Sequence, residues 1–216
     1  DEQLWTKRQT VIDRWQEGET TFYAVAKDFI EDVAPNECLY TAKGELELIV
    51  KNQRDGKQIL VQAVDFRKKR DAIWGITARN LEQNFALNLL MDPEVEFVSL
   101  IGVAGTGKTL LALAAGLAQS MESKRYREIV MTRETISVGE DIGYLPGTEE
   151  EKMTPWMGAL LDNLEVLADT TDGGDWGRAA TSDLLHNRIK IRSLSFMRGR
   201  TFLNRYIIID EAQNLT

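Results

Sequence analysis

The 216-residue chain has one cysteine, one histidine and four prolines. The lone Cys38 excludes a disulfide framework and a cysteine-based zinc site. The lone His186 argues against histidine-centred acid–base chemistry and against a histidine-rich metal site. No run of about 18 uncharged apolar residues occurs, so no membrane span is expected. The N-terminus carries no secretory pattern, which makes the cytoplasm the default address. The chain opens at Asp1 rather than methionine and reads as a fragment. Cations are the minority: 26 Lys and Arg stand against 34 Asp and Glu, a formal net charge of −8. That balance argues against a constitutively basic nucleic-acid clamp but leaves room for a local basic groove. With 43% hydrophobic residues the chain can build a sizeable core, in one or two domains at about 150 residues each.

The periodicities divide the chain near residue 70. Leu4, Trp5, Arg8, Val11, Ile12 and Trp15 fall on one helical stripe ended by Gly18, so residues 1–20 read as a helix. Leu46, Leu48 and Val50 alternate with polar residues, Asp55–Gly56 supplies a turn, and Ile59, Val61 and Ala63 alternate on the return, which reads as a β-meander over 37–66. A basic run, Arg67–Arg70, follows. The expected domains are therefore a small helix-plus-meander connector, 1–70, and a main domain, 71–216. In the main domain a helix over 80–91 stops at Pro93, and Glu94–Ile101 reads as a buried strand. A helix runs from Lys108 to about Met121, and Glu128–Thr132 reads as a second buried strand. Residues 133–156 read as a long structured loop, 157–168 as a helix and 169–181 as a polar, Gly-rich loop. Strands follow at Ile189–Leu194 and Tyr206–Asp210. Alternating apolar strands and helices point to an α/β fold: a parallel sheet with helices on both faces.

Residues 102–109 read GVAGTGKT, a full match to G-x-x-x-x-G-K-[ST] between an expected strand and an expected helix. Gly102, Gly105 and Gly107 let the backbone fold closely round phosphates. The N–H groups of Val103, Ala104, Thr106 and their neighbours can then face the anion, and the helix adds its positive end. Lys108 reaches the outer phosphates and Thr109 offers a hydroxyl to Mg²⁺. Residues 206–211 read YIIIDE, an apolar strand that delivers two acids to the sheet's C-terminal edge. There Asp210 is expected to hold Mg²⁺ and Glu211 to polarise the attacking water. Taken alone, Asp210 could equally cap a following helix. The adjacent Glu211 separates the pattern from small-molecule kinases, which need no activated water.

DEAQ at 210–213 resembles the second motif of superfamily 1 helicases. WGITARNLEQNFAL at 74–87, GVAGTGKTLLALAAGL at 102–117, VGEDIGYLPGTEEEKMTPWM at 138–157 and MRGRTF at 197–202 bring the chain closer to the PhoH-like ATPase family, in the version where a PIN-type ribonuclease domain precedes the ATPase. The resemblance is strong over about residues 71–216 and weak over 1–70. It implies a RecA-like P-loop core that binds and hydrolyses ATP with Mg²⁺ as an RNA helicase or RNA-remodelling enzyme. It also implies single-stranded RNA as partner and assembly into a homo-oligomer, a hexameric ring being one form. Two features depart from the family pattern. Glu134 stands where proline usually follows Thr-Arg. A polar sensor and an arginine, normally on later strands, are expected beyond Thr216, and a PIN domain, if fused, would precede Asp1.

Other residues carry two readings each. Gln83, upstream of the phosphate loop, matches the position at which related helicases read adenine's edge, which an amide suits by donating and accepting at once. Asn80-Leu81-Glu82-Gln83 also has the spacing of a helix capping box. Arg133, Arg198 and Arg200 are candidates for RNA backbone or a neighbour's nucleotide, or else for surface ion pairs. Glu140, Asp141 and Glu149–Glu151 read as a solvated acidic face. The tryptophans read as packing, with Trp176 a candidate to stack on a base. The competing functional class is a nucleotide-binding oligomerisation or regulatory module with little hydrolysis. A phosphotransferase is a weaker third.

Overall fold

The computed structural model describes residues 11–26, 33–41, 46–54, 57–133, 187–192, 197 and 199–215. The chain divides into two compact units, one of residues 1–67 with 79–95, the other of residues 68–78 with 96–216. The division is thus not a single cut near residue 70: the helix at 81–91 groups with the first unit.

In the first unit, β1 (Val11–Glu17), β2 (Thr20–Ala26), β3 (Cys38–Tyr40), β4 (Glu47–Arg54) and β5 (Lys57–Gln62) form an antiparallel sheet in the order β1-β2-β5-β4-β3. The expected meander is present. The expected helix is not, over its described part, because residues 11–17 form a strand instead. Two features explain the difference. Gly18 takes φ 60, which closes a hairpin turn where a helix stop was expected. Trp15 lies opposite Phe22, and their rings stack 10° from parallel at 5.3 Å, a cross-strand pairing that an isolated helix cannot match. Residues 1–10 of that expectation lie outside the described residues, as does the Asp55–Gly56 turn. One sheet face buries Tyr23, Val25, Leu48, Val50 and Leu60 as a single cluster.

Helix α1 (Leu81–Met91) starts where Asn80, in extended conformation, accepts the N–H of Gln83 at 2.8 Å. Its attachment to the sheet is polar. Asn84 is fully buried; its amide donates to Glu47 Oε2 at 2.7 Å and accepts the N–H of Phe66 at 2.9 Å. Glu47, itself buried, takes a second bond from Arg67 at 2.6 Å. Asn88 exchanges two bonds with the backbone of Val64, each 2.9 Å. An unpaired buried amide would cost about 1–3 kcal/mol, so these partners specify where α1 sits. Lys51 forms a second tie, an ion pair with Asp92.

In the second unit, β6 (Glu128–Arg133), β7 (Ile189–Ile191) and β8 (Arg205–Asp210) form a parallel sheet in the order β7-β6-β8, and helix α2 spans Lys108–Leu117. The α/β class is as expected, with each of these strands close to its expected place. The segment Glu94–Ile101 is different. It pairs with no strand of the sheet, and Phe97 and Ile101 are 85% and 94% exposed. An apolar run becomes a strand only where a neighbour completes its ladder, and none of β6, β7 and β8 does so. The expected loop 134–156 and helix 157–168 lie outside the described residues. No helix among the described residues is long and apolar enough to cross a membrane.

Helix α2 meets the sheet through a glycine. A Cβ built on Gly116 would lie 2.8 Å from Tyr206 Cδ1, 2.9 Å from its Cε1 and 3.1 Å from Ile129 Cδ1. The Tyr206 ring is held edge-on by Tyr126, with centroids 5.5 Å apart. Gly116→Ala gains about 1 kcal/mol of helix propensity. Overpacking at such a contact costs about 1–3 kcal/mol. The expected outcome in thermal melts is a lowered Tm, restored in part by the double variant Gly116→Ala with Tyr206→Leu, which reopens the space.

Candidate nucleotide-binding site

The glycines of the 102–109 loop are where the backbone demands them. Gly105 and Gly107 adopt φ 78 and φ 81, a region in which a side chain would be strained, and Gly107 is the N-cap of α2. The first bond of the helix runs from Leu111 N–H to the Gly107 carbonyl at 2.9 Å. The N–H groups before it, at the helix's first turn, have no intrahelical partner, which is the arrangement an anion requires. The loop is braced from within: Thr106 Oγ1 donates to the Val103 carbonyl at 2.9 Å. Lys108 Nζ donates to the carbonyls of Gly102 and Val103, both at 2.9 Å. The ammonium is thereby curled over the loop's mouth, within a side-chain rotation of any phosphate seated there.

The second motif arrives beside the first. Strand β8 ends at Asp210, and Thr109 Oγ1 donates to Asp210 Oδ1 at 3.1 Å. A hydroxyl and a carboxylate this close offer two hard oxygens on one side of a divalent cation. Mg²⁺ takes such a pair readily, filling its other positions with water and phosphate oxygens. Among the described residues no group of three or more His, Cys, Asp or Glu side chains forms a metal cage, so a cation here depends on nucleotide oxygens as well. The donor set fits a Mg²⁺–nucleotide complex.

Glu211 follows in the left-handed region, at φ 53 and ψ 40, and begins a turn over Ala212–Asn214. The αL geometry is unusual for a glutamate and is the kind of local strain that concentrates at functional positions. Asp210 is engaged by Thr109, and the residue at the N-cap position of the turn is Glu211, with no side-chain capping bond. The sequence did not single out Gln213, whose Nε2 donates to Glu211 Oε2. The fourth letter of DEAQ was the available signal.

The remaining candidates are distributed as follows. Arg133 ends β6 in register with Asp210, at the same sheet edge. Arg200 is exposed, and its N–H reaches the Met197 carbonyl at 3.3 Å. Arg198, Glu134, His186, Trp176 and the acidic residues at 140–151 lie outside the described residues. Gln83 belongs to the first unit. Its Oε1 accepts the N–H of Arg79 at 2.7 Å while its own N–H bonds to Asn80, so the capping role is realised in geometry. Cys38 is half-buried, and burial with nearby Glu37 raises its pKa to about 11, far from a reactive thiolate.

The family model described as PhoH-like protein matches residues 75–216. Protein PhoH2 of Bacillus subtilis (strain 168) is 47% identical over 144 residues, which is 67% of this chain and 32% of that protein. Protein PhoH2 of Mycolicibacterium smegmatis is 42% identical over 145 residues, 66% of this chain and 31% of that protein. A PhoH-like protein of Synechocystis is 30% identical over 170 residues, 76% of this chain and 46% of that protein. The chain thus spans about a third of the length of the PhoH2 relatives it matches.

The cap at Asn80 and Gln83 yields a stability prediction. Gln83→Ala removes one of two reciprocal bonds at the start of α1 and is expected to cost about 1 kcal/mol, lowering Tm by a few degrees. If Gln83 also reads adenine, the same variant weakens ATP more than GTP in paired titrations. An equal effect on both nucleotides assigns it to the cap alone.

Proposed function

The chain belongs to the PhoH-like protein family, and from that premise we propose that it binds ATP with Mg²⁺ and hydrolyses it to remodel RNA. The observation that carries this reading is the 3.1 Å contact between Thr109 and Asp210, which joins the phosphate loop to the acid pair. Bound Mg²⁺ would supply positive charge to the β- and γ-phosphate oxygens. The protein's own residues do the rest. The α2 N-terminus and loop N–H groups bind the phosphates, and Lys108 exchanges its loop carbonyls for phosphate oxygens. Thr109 and Asp210 fix the cation's position, and Glu211 takes the proton of the attacking water. In that step the water oxygen bonds to the γ-phosphorus, the bridging P–O bond breaks, and ADP leaves with the electron pair.

The coupling to RNA rests on the family resemblance, with Arg133, Arg198 and Arg200 as candidate contacts to phosphate. A RecA-like core, a ring of identical subunits and a fused PIN ribonuclease domain belong to the same proposal. Single-stranded RNA is the expected stimulating ligand, and steady-state ATPase with and without it tests the coupling.

Two substitutions separate binding from chemistry. Lys108→Ala is expected to abolish tight binding of a non-hydrolysable ATP analogue in calorimetric titration; unchanged affinity would remove the phosphate-loop assignment. Glu211→Gln is expected to retain ATP and Mg²⁺ binding while hydrolysis falls by about 10²–10⁴, the usual worth of a positioned base. Turnover at the parental rate would show that Glu211 is not the base.

A further inference from the structure

Glu211 enters the site on an exposed turn, where a flexible carboxylate would sample many rotamers. The turn itself is rigid. Asn214 N–H bonds to the Glu211 carbonyl at 3.0 Å and Leu215 N–H to the Ala212 carbonyl at 3.1 Å, closing two successive i→i+3 rings. The backbone of Glu211 is held in the left-handed region by this arrangement. What these bonds leave unfixed is the Glu211 side chain, and Gln213 bonds to it, its amide N–H donating to Oε2. Gln213 is exposed, so core packing does not require its side chain to fold back onto the turn. A surface amide normally gains little by choosing a protein partner over water.

We infer that Gln213 is a positioning residue for Glu211: its side-chain amide orients the carboxylate toward the attacking water. The chemistry of an amide suits the task. It donates to the ionised form, so it favours the state that accepts a proton. Being neutral, it does not form an ion pair, which would stabilise the carboxylate so far that its basicity fell. A lysine at the same place would hold the carboxylate equally well and make it a weaker base. A glutamate would place a like charge beside it and raise its pKa. The inference rests on Glu211 acting as the base, and it adds the group that sets the base's orientation and proton affinity.

The test uses hydrolysis rates over a pH series, ATP affinity and thermal melts for the parental protein and three variants. Gln213→Ala is expected to lower kcat by about 10–100-fold, the range seen when an outer-shell orienting partner is lost. KM for ATP should change less than twofold, and Tm should not move. Gln213→Glu should shift the acid limb of the kcat–pH profile to higher pH, and Gln213→Lys should shift it to lower pH while retaining more rate than Gln213→Ala. A merely structural role moves neither limb. Parental kcat and an unmoved acid limb in all three variants would overturn the inference while leaving the ATPase reading intact. Absence of hydrolysis in the parental protein would overturn both.

Discussion

The contact between Thr109 and Asp210 joins two segments about a hundred residues apart, and the chemistry assigned to the site depends on it. Neither segment is sufficient by itself. A glycine-rich loop at a helix start can bind many anions, and an acid at a strand end can cap a turn. Held together, they define a position for one cation and, beside it, one phosphate chain. The contact depends in turn on how close α2 lies to β8. That closeness is set at Gly116, where the absence of a side chain lets the Tyr206 ring lie against the helix. A small residue two turns from the chemistry therefore helps fix the distance at which the chemistry happens.

The phosphate loop and the acid pair were legible in the sequence because their residue types are dictated by local requirements. Positive φ at Gly105 and Gly107 leaves little choice but glycine, and an apolar strand ending in Asp-Glu states its own direction. The hairpin β1–β2 was not legible in the same way. Val11, Ile12 and Trp15 satisfy a helical spacing, and Gly18 serves a helix stop and a hairpin turn alike. The deciding term, the stacking of Trp15 on Phe22, is a tertiary contact. The run Glu94–Ile101 failed for the opposite reason, since its apolar pattern names no ladder partner. The grouping of α1 with the small sheet rests on Asn84 meeting Glu47 across 37 residues, which no local pattern encodes.

Polar and apolar cohesion are divided between the two units. The second unit is organised by side-chain volume, with aliphatic residues of α2, β6 and β8 packed round a glycine. The first has an apolar cluster on one sheet face, but its helix is located by hydrogen-bonding geometry. Apolar surfaces tolerate small sliding movements with little loss. A buried amide–carboxylate pair does not, because a displacement of an ångström or so leaves groups unsatisfied. α1 is thus held in a definite register on its sheet.

The path of the backbone between the units has a further consequence. The chain passes from the first unit to the second after Arg67, returns at Arg79 and leaves again after Val95. Three covalent strands therefore connect the units. Nicking the chain at any one of these crossings leaves the other two intact, so a single proteolytic cut does not release either part. Nor can either unit be produced alone as one uninterrupted stretch of this sequence. Exchange of the first unit between related proteins would require transplanting two segments together, the sheet with α1, so that Glu47 and Asn84 travel as a pair.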